Sequence, residues 1–430
     1  RRVLFRSEFS EIPAQARTNP LLRQWRIRVF AATWLCYAGL YFCRKPFYIA
    51  KSSLGTELGI DATQLGTIGT AYLVAYALGQ FIAGNLGQRL GPRVVLLLGM
   101  AVSLAVNVGF GVSNSFAMFL GLMVLNGLAQ ATGWSGNVAT MARWFHRGER
   151  GTIMGIWATN FQAGGVMANT FAAWVLGAYG WRQSFFAGSV VLLAVWAFFL
   201  FNQRNAPGDV GLPEVEEPGA PPEPDADVPW SRDTIINVAL VAGFYFFVKL
   251  IRYALWSWAP FFLERSFGLK GDDAGYLSTV FDVAGIVGVI VAGALSDRVF
   301  AGRRAKVSFF FLLALVGATA ALYTMGGASV TSFAVCIGLV GFTLYGPDAL
   351  MTGAGAIDVG SRRKAALAAG IINGCGSFGP IVQELAIGRL YDSGGGDLGP
   401  ILLLLLGSAA ISVLFVAVLL LRNRAGKADL

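Results

Sequence analysis

The chain has 430 residues, 55% of them hydrophobic and only 13% charged. That balance excludes an ordinary soluble domain and makes lipid the expected solvent. The formal net charge of +9 does not imply nucleic acid, because the basic residues are spread over alternate connections instead of forming one patch.

Residues 1–26 form a basic N-terminal segment whose opening RRVLFRS reads as a remnant of truncation; no cleavable signal is recognised before the first apolar run. Twelve apolar runs then follow, near 27–51, 63–86, 94–112, 115–143, 151–178, 183–202, 234–263, 274–295, 306–325, 331–356, 365–390 and 399–421. Each approaches the roughly 20 residues that a helix needs to cross the hydrocarbon layer. The expected fold is an all-α membrane protein of twelve transmembrane helices in two six-helix pseudo-symmetric halves, 27–203 and 233–422. Between the halves, 204–232 holds seven prolines and seven acidic residues and is expected to be a disordered cytoplasmic linker. A short cytoplasmic tail, 423–430, ends the chain.

Of the 33 Lys and Arg residues, 24 fall in the N-terminus, the connections on its side and the C-terminus. Five fall in the opposite loops (Lys51, Arg182, Arg265, Lys270 and Arg389), and four lie within spans. By the positive-inside rule both termini are expected in the cytoplasm of a cell-membrane protein. The four cysteines lie in apolar runs without the spacing of a disulfide framework or a zinc site, and read as packing residues.

The first span contains LYFCRKPFYIAK, with Arg44 and Lys45 side by side and Pro46 predicting a kink. On a helix Tyr37, Tyr41, Arg44 and Tyr48 share one face. Asp61 before span two reads as an N-cap, while Tyr76 on that span adds a hydroxyl. GNLGQRLGPR after span two recurs 209 residues later as GALSDRVFAGRR after span eight. At nearly the same offset Arg44 falls on Arg252 in span seven, where Tyr245, Lys249, Arg252 and Trp256 repeat the spacing of the first helix. Asn160 and Gln162 on span five and Asn373 on span eleven add neutral polar groups.

Arg44 lies about 16 Å of helix from the outer loop, near the midplane, and Arg252 lies at similar depth. Four intramembrane cations, Arg44, Lys45, Lys249 and Arg252, would together cost on the order of 10 kcal/mol if unpaired. Asp282 and Asp348 are the clear intramembrane acids, with Glu384 placed nearer the outer end of span eleven. A Lys45–Asp282 salt bridge is expected, which leaves the two arginines available to an anionic ligand. The rigid guanidinium fork suits phosphate, and a phosphate ester would match two arginines in charge. Neither a nucleophile with its base nor a phosphate-cradling loop is present, so no enzyme activity, metal or cofactor is expected. His146, the single histidine, lies in a cytoplasmic loop.

GNLGQRLGPR and GALSDRVFAGRR resemble the loop motif of the major facilitator superfamily, with Gln88 where the first copy usually carries an acid. YFCRKPFYIAKS, RGERGTIMGIW, KLIRYALWSWAPFFLE, GFTLYGPDALMTG and AALAAGIINGCGSFGP resemble segments of its organophosphate:phosphate antiporters, over nearly all of 25–421. The resemblance implies a phosphate bound by Arg44 and Arg252 from opposite halves, and Lys45 and Asp282 as ion-pairing positions used in switching. It further implies Tyr37, Tyr41, Tyr76 and Tyr345 as cavity-lining tyrosines. Phe161, Gln80 and Ser257 depart from the glycerol-3-phosphate carriers, where a histidine, a lysine and an aspartate stand, and Asp348 is an added acid.

The implied function is exchange of a phosphorylated small molecule for inorganic phosphate by alternating access, in the bilayer and as a functional monomer. Alternatives are a proton-coupled organic-anion symporter using Asp282 or Asp348, and a transporter-like sugar-phosphate sensor.

Overall fold

A chain in hydrocarbon must satisfy its backbone internally, and this one does so with helices. The computed structural model describes residues 19–145, 153, 154, 156, 157, 159–213, 215, 231–300, 303–351 and 355–427, without the side chains of 81, 84, 85, 88, 297 and 355–370. His146, the Gln88 side chain, most of RGERGTIMGIW and the middle of the expected linker lie outside these residues.

Among the described residues there are fourteen α-helices. The first six are α1 (Pro20–Phe42), α2 (Lys45–Leu58), α3 (Ala62–Leu90), α4 (Pro92–Val112), α5 (Phe116–Gln130) and α6 (Thr132–Trp144). Next come α7 (Thr159–Tyr179), α8 (Trp181–Asn202), α9 (Arg232–Phe267) and α10 (Gly271–Arg298). The last four are α11 (Arg304–Met325), α12 (Val330–Ala349), α13 (Gly355–Ser393) and α14 (Gly399–Arg424). With α1 and α2 forming one broken span and α5 and α6 another, they make up the twelve expected spans. Eight of these are long and apolar enough to cross a membrane by length and composition alone. Leu98, Val190, Ile290, Leu414 and Leu421 each leave more than half of their surface exposed, as apolar side chains facing lipid would.

Helix starts follow local chemistry. The Asn19 side chain accepts from the amides of Leu21 and Leu22 at the head of α1. Asp61 caps α3 as expected: its carboxylate accepts from the Gln64 amide at 2.7 Å, while the Gln64 side chain accepts from the Asp61 amide at 3.1 Å.

The contacts divide the chain into two compact units, one of Arg1–Phe47 and Ala71–Pro222, the other of Tyr48–Thr70 and Glu223–Leu430. In the first unit Ala32, Cys36 and Leu40 of α1 pack with Leu96 and Met100 of α4 and with Leu192 and Phe199 of α8. Gly188 of α8 meets the Phe42 carbonyl at the end of α1, where any Cβ would collide with that oxygen. The opening of the expected 204–232 linker is structured. Residues 204–213 are ordered in this unit, with a 3-10 turn at Pro207–Val210 whose Asp209 carboxylate accepts from the amides of Asn205 and Ala206. The turn is anchored by Trp144 Nε1 donating to the Arg204 carbonyl and by the Arg93 amide donating to the Asn205 side chain.

In the second unit Ala292, Val307 and Phe311 centre a cluster joining α10, α11 and α12. Residues 48–70, which precede the first unit's main segment in sequence, pack here. The carboxylate of Asp392 on α13 accepts from the amides of Ala62 and Thr63 at the start of α3. Arg265 at the end of α9 donates to the Ser52 carbonyl at 3.0 Å.

Candidate site groups in each unit

The kink expected at Pro46 is a full break. Pro46 has no N–H to return to the Phe42 carbonyl, so α1 stops at Phe42 and α2 restarts at Lys45 with proline in its first turn. The two residues between tighten into 3-10 geometry, with Cys43 N donating to the Leu40 carbonyl and Arg44 N to that of Tyr41. The Cys43 carbonyl is thereby released from the helical ladder. It accepts instead from three side-chain amides, Asn107 Nδ2 and Asn126 Nδ2 at 3.0 Å and Gln130 Nε2 at 3.2 Å.

The break presents Arg44 to a ring of tyrosines. Its guanidinium carbon lies 4.7 Å from the Tyr41 ring centre, 5.3 Å from that of Tyr72 and 5.4 Å from that of Tyr76. Such contacts stabilise a buried cation without removing its charge. Arg44 Nε donates to Gln130 Oε1 at 2.8 Å, and Tyr72 donates its hydroxyl to the same oxygen at 3.0 Å. Among the described residues no carboxylate pairs with Arg44. Tyr37 extends the aromatic wall, its ring 5.9 Å from Tyr41, 5.6 Å from Trp134 and 6.0 Å from Trp157. Lys45 is buried directly after the break. Asn160 and Gln162, two residues apart on α7, point in different directions and do not converge. Asn160 is fully buried with both amide atoms unpartnered among the described residues, and Gln162 is half-buried.

In the second unit Arg252 sits in a setting related to that of Arg44 but differing in charge. Its guanidinium lies 4.7 Å from the Tyr345 ring centre, and Nη1 donates to Asp348 Oδ2 at 2.9 Å. The sequence reading left Arg252 available and Asp348 independent; the structure pairs them, because α12 brings a nearly buried carboxylate onto α9. Asp282, read as a partner for Lys45, accepts from the Tyr345 hydroxyl. Lys249 Nζ donates to Asn373 Oδ1 at 2.9 Å and Ser377 Oγ at 3.2 Å, and lies 4.9 Å from the Tyr245 ring centre. Cys375, read as a packing residue, is exposed on α13.

One charged group lies elsewhere than the sequence implies, and its partner is Glu384 of the eleventh span. Lys51, counted as an outer-loop cation, is a helical residue with 0% exposure, and Glu384 is 1% exposed. They form an ion pair at 3.0 Å, with Lys51 Nζ 3.6 Å from the Trp258 ring centre and 5.2 Å from that of Tyr48. Gly66 and Gly69 make room for Glu384: a Cβ on the first would collide with its backbone carbonyl and on the second would lie 2.9 Å from its carboxylate. A signal existed, since Lys51 follows Arg44 by seven residues and so lies on the face that carries Arg44 and Tyr48. Tyr48 in turn packs its ring 4.8 Å from that of Trp256. Gln130 is a further site group that no motif announced, and Ser377, inside AALAAGIINGCGSFGP, is one that the motif carried without its being singled out.

Comparison with known proteins follows the same line. The model of the Major Facilitator Superfamily matches residues 33–383. A probable hexose phosphate transport protein of Chlamydia pneumoniae is 26% identical over 405 residues, covering 89% of each chain. A putative glycerol-3-phosphate transporter of Arabidopsis thaliana is 31% identical over 467 residues, covering 93% of this chain and 88% of that one. In fold, the chain resembles the crystal structure of a bacterial homologue of the human lysosomal transporter Spinster, with a TM-score of 0.72 and 16% identity over 92% of this chain and 95% of that one.

Proposed function

Because the chain belongs to the Major Facilitator Superfamily, as an integral membrane transporter and not an enzyme, we propose that it exchanges an organophosphate for inorganic phosphate, with Arg44 and Arg252 binding the phosphoryl group. The observation that carries this reading is the Arg44 setting: an intramembrane guanidinium packed on three tyrosine rings, held by an amide and offset by no acid among the described residues. An uncompensated cation at that depth costs about 2.5–3.5 kcal/mol, which a bound anion would recover. Returning unloaded would expose the carrier to that cost, which favours exchange over one-way transport.

The relatives named for hexose phosphate and glycerol-3-phosphate support a phosphorylated cargo. Lys249, with Asn373 and the tyrosines 37, 41, 76 and 345, contributes neutral and cationic contacts to the organic group. Lys45, Asp282 and Asp348 act in gating. The halves 27–203 and 233–422 alternate the site's exposure, with both termini cytoplasmic and the monomer as the working unit.

The test is counterflow in proteoliposomes preloaded with phosphate. Phosphate uptake is expected to be inhibited by phosphate esters and unaffected by nonphosphorylated sugars; the reverse pattern would reject the anion site.

The Arg252–Asp348 pair favours a second reading, in which a substrate anion displaces Asp348 and the freed carboxylate takes a proton. Asp348→Asn would then retain phosphate exchange but lose proton movement with substrate, measured with a pH-sensitive dye inside the liposomes. Proton movement unchanged in that variant would dismiss Asp348 as the coupling group.

A further inference from the structure

Gln130 closes α5, is wholly buried, and is the hydrogen-bonding partner of Arg44. We propose that Gln130 is the positioning residue for the phosphate-binding guanidinium, and that its lack of charge keeps Arg44 competent to bind an anion. The proposal rests on the reading of Arg44 as a phosphate ligand.

The amide has one workable orientation. Its Nε2 faces acceptors only: the carbonyls of Leu40 and Cys43 at 3.1 and 3.2 Å, Ser103 Oγ at 3.0 Å and Asn126 Oδ1 at 3.2 Å. Ser103 donates its own hydroxyl to Asn126 Oδ1 at 2.7 Å, so it meets Gln130 as an acceptor. Arg44 Nε and the Tyr72 hydroxyl on the other side are donors to Oε1. Flipping the amide would set its NH2 against Arg44, a group that accepts nothing. The break in the first span, through its released carbonyl, thus fixes the amide that fixes the arginine.

What this leaves is specific. Gln130 takes the Nε–H, and tyrosine rings cover the guanidinium. Among the described residues no protein acceptor takes the Nη hydrogens, which leaves the two-pronged end, the edge that binds phosphate bidentately, for a ligand. A carboxylate in the same place would hold the arginine equally well and cancel its charge. Arg252, paired with Asp348, shows within this chain what that alternative looks like. The Arg44 site is therefore the stronger anion site of the two, and Gln130 sets that difference.

Gln130→Glu and Gln130→Leu separate positioning by a neutral group from mere bracing of the break. The readouts are equilibrium binding of inorganic phosphate to purified protein, and KM against maximal rate in phosphate counterflow. Gln130→Glu, nearly isosteric but anionic, is expected to weaken phosphate binding about 100-fold, whereas Gln130→Leu, which loses every hydrogen bond but adds no charge, weakens it about 10-fold or less. In both variants the change is expected in KM, with maximal rate at saturating phosphate within about threefold of wild type. Equal or greater damage from leucine would overturn the proposal, since a bracing role is hurt most by losing all the bonds. Wild-type affinity in Gln130→Glu would overturn it as well. Should the glutamate variant fail to insert, leucine still decides: a raised KM at unchanged maximal rate supports positioning, and a lowered maximal rate at unchanged KM refutes it. Wild-type protein that binds no phosphate would reject the underlying function instead.

Discussion

Arg44→Lys is expected to lower phosphate exchange by about 100-fold or more, with Arg252→Lys close behind, while both proteins still fold and insert. Each variant keeps the positive charge, so the loss measures geometry. At Arg44 a lysine cannot give one N–H to Gln130 Oε1 and keep a planar fork for the ligand, and it forfeits the guanidinium's contacts with the rings of Tyr41, Tyr72 and Tyr76. At Arg252 it must choose between Asp348 and the substrate, whereas a guanidinium has donors for both. Phosphate counterflow, normalised to the amount of folded protein in the liposomes, provides the measurement. Near-normal exchange in either variant would remove that arginine from the site.

The other large effect expected is on stability. Glu384→Ala should destabilise the protein by about 3–5 kcal/mol, because it strips the carboxylate from a lysine buried in a helix-packed interior. The stacking of Lys51 on Trp258 and Tyr48 softens the loss without replacing the counter-charge. Lys51→Met should cost a similar amount by stranding Glu384 between Gly66 and Gly69. Joining Lys51→Met with Glu384→Leu should recover most of the stability, since an apolar pair of similar volume needs no compensation. Thermal unfolding in detergent would report all three. A single variant as stable as the wild type would mean that the ion pair contributes nothing there.

Among the described residues the apolar runs fall on helices, eight of them long and apolar enough to cross a membrane, because hydrocarbon thickness sets a minimum length that is visible without any tertiary contact. Of the tyrosines around Arg44, Tyr41 was equally legible, since helical spacing alone puts it beside the arginine, whereas Tyr72 on another span had no such signal. Partnerships were another matter. A lone amide such as Gln130 in an apolar helix has no pattern, and it becomes informative only when a broken helix three spans earlier hands it a carbonyl. Lys51 was assigned to the outer loop because α2 continues seven residues past it, through a polar stretch that hydropathy reads as solvent. Asp348 was taken as an unattached acid for the reverse reason: the residue that claims it, Arg252, lies 96 positions away. The opening of the linker was obscured because its proline and acid content resembles disorder, although Asp209 uses that chemistry to build a turn.

The ion pair between Lys51 and Glu384 spans 333 positions of sequence, and this has a consequence in time. At the usual pace of about 5–20 residues per second, a ribosome needs roughly 17–67 seconds to make Glu384 after it has made Lys51. Until residue 232 is reached none of α9–α14 exists, while the second unit's earliest piece, residues 48–70, is already made. The ion pair of Lys51 with Glu384 thus belongs to a late stage of assembly. The native contact that seals this piece is therefore a late event of biogenesis, and a chain arrested before residue 384 would hold a lysine whose counter-ion has yet to be synthesised.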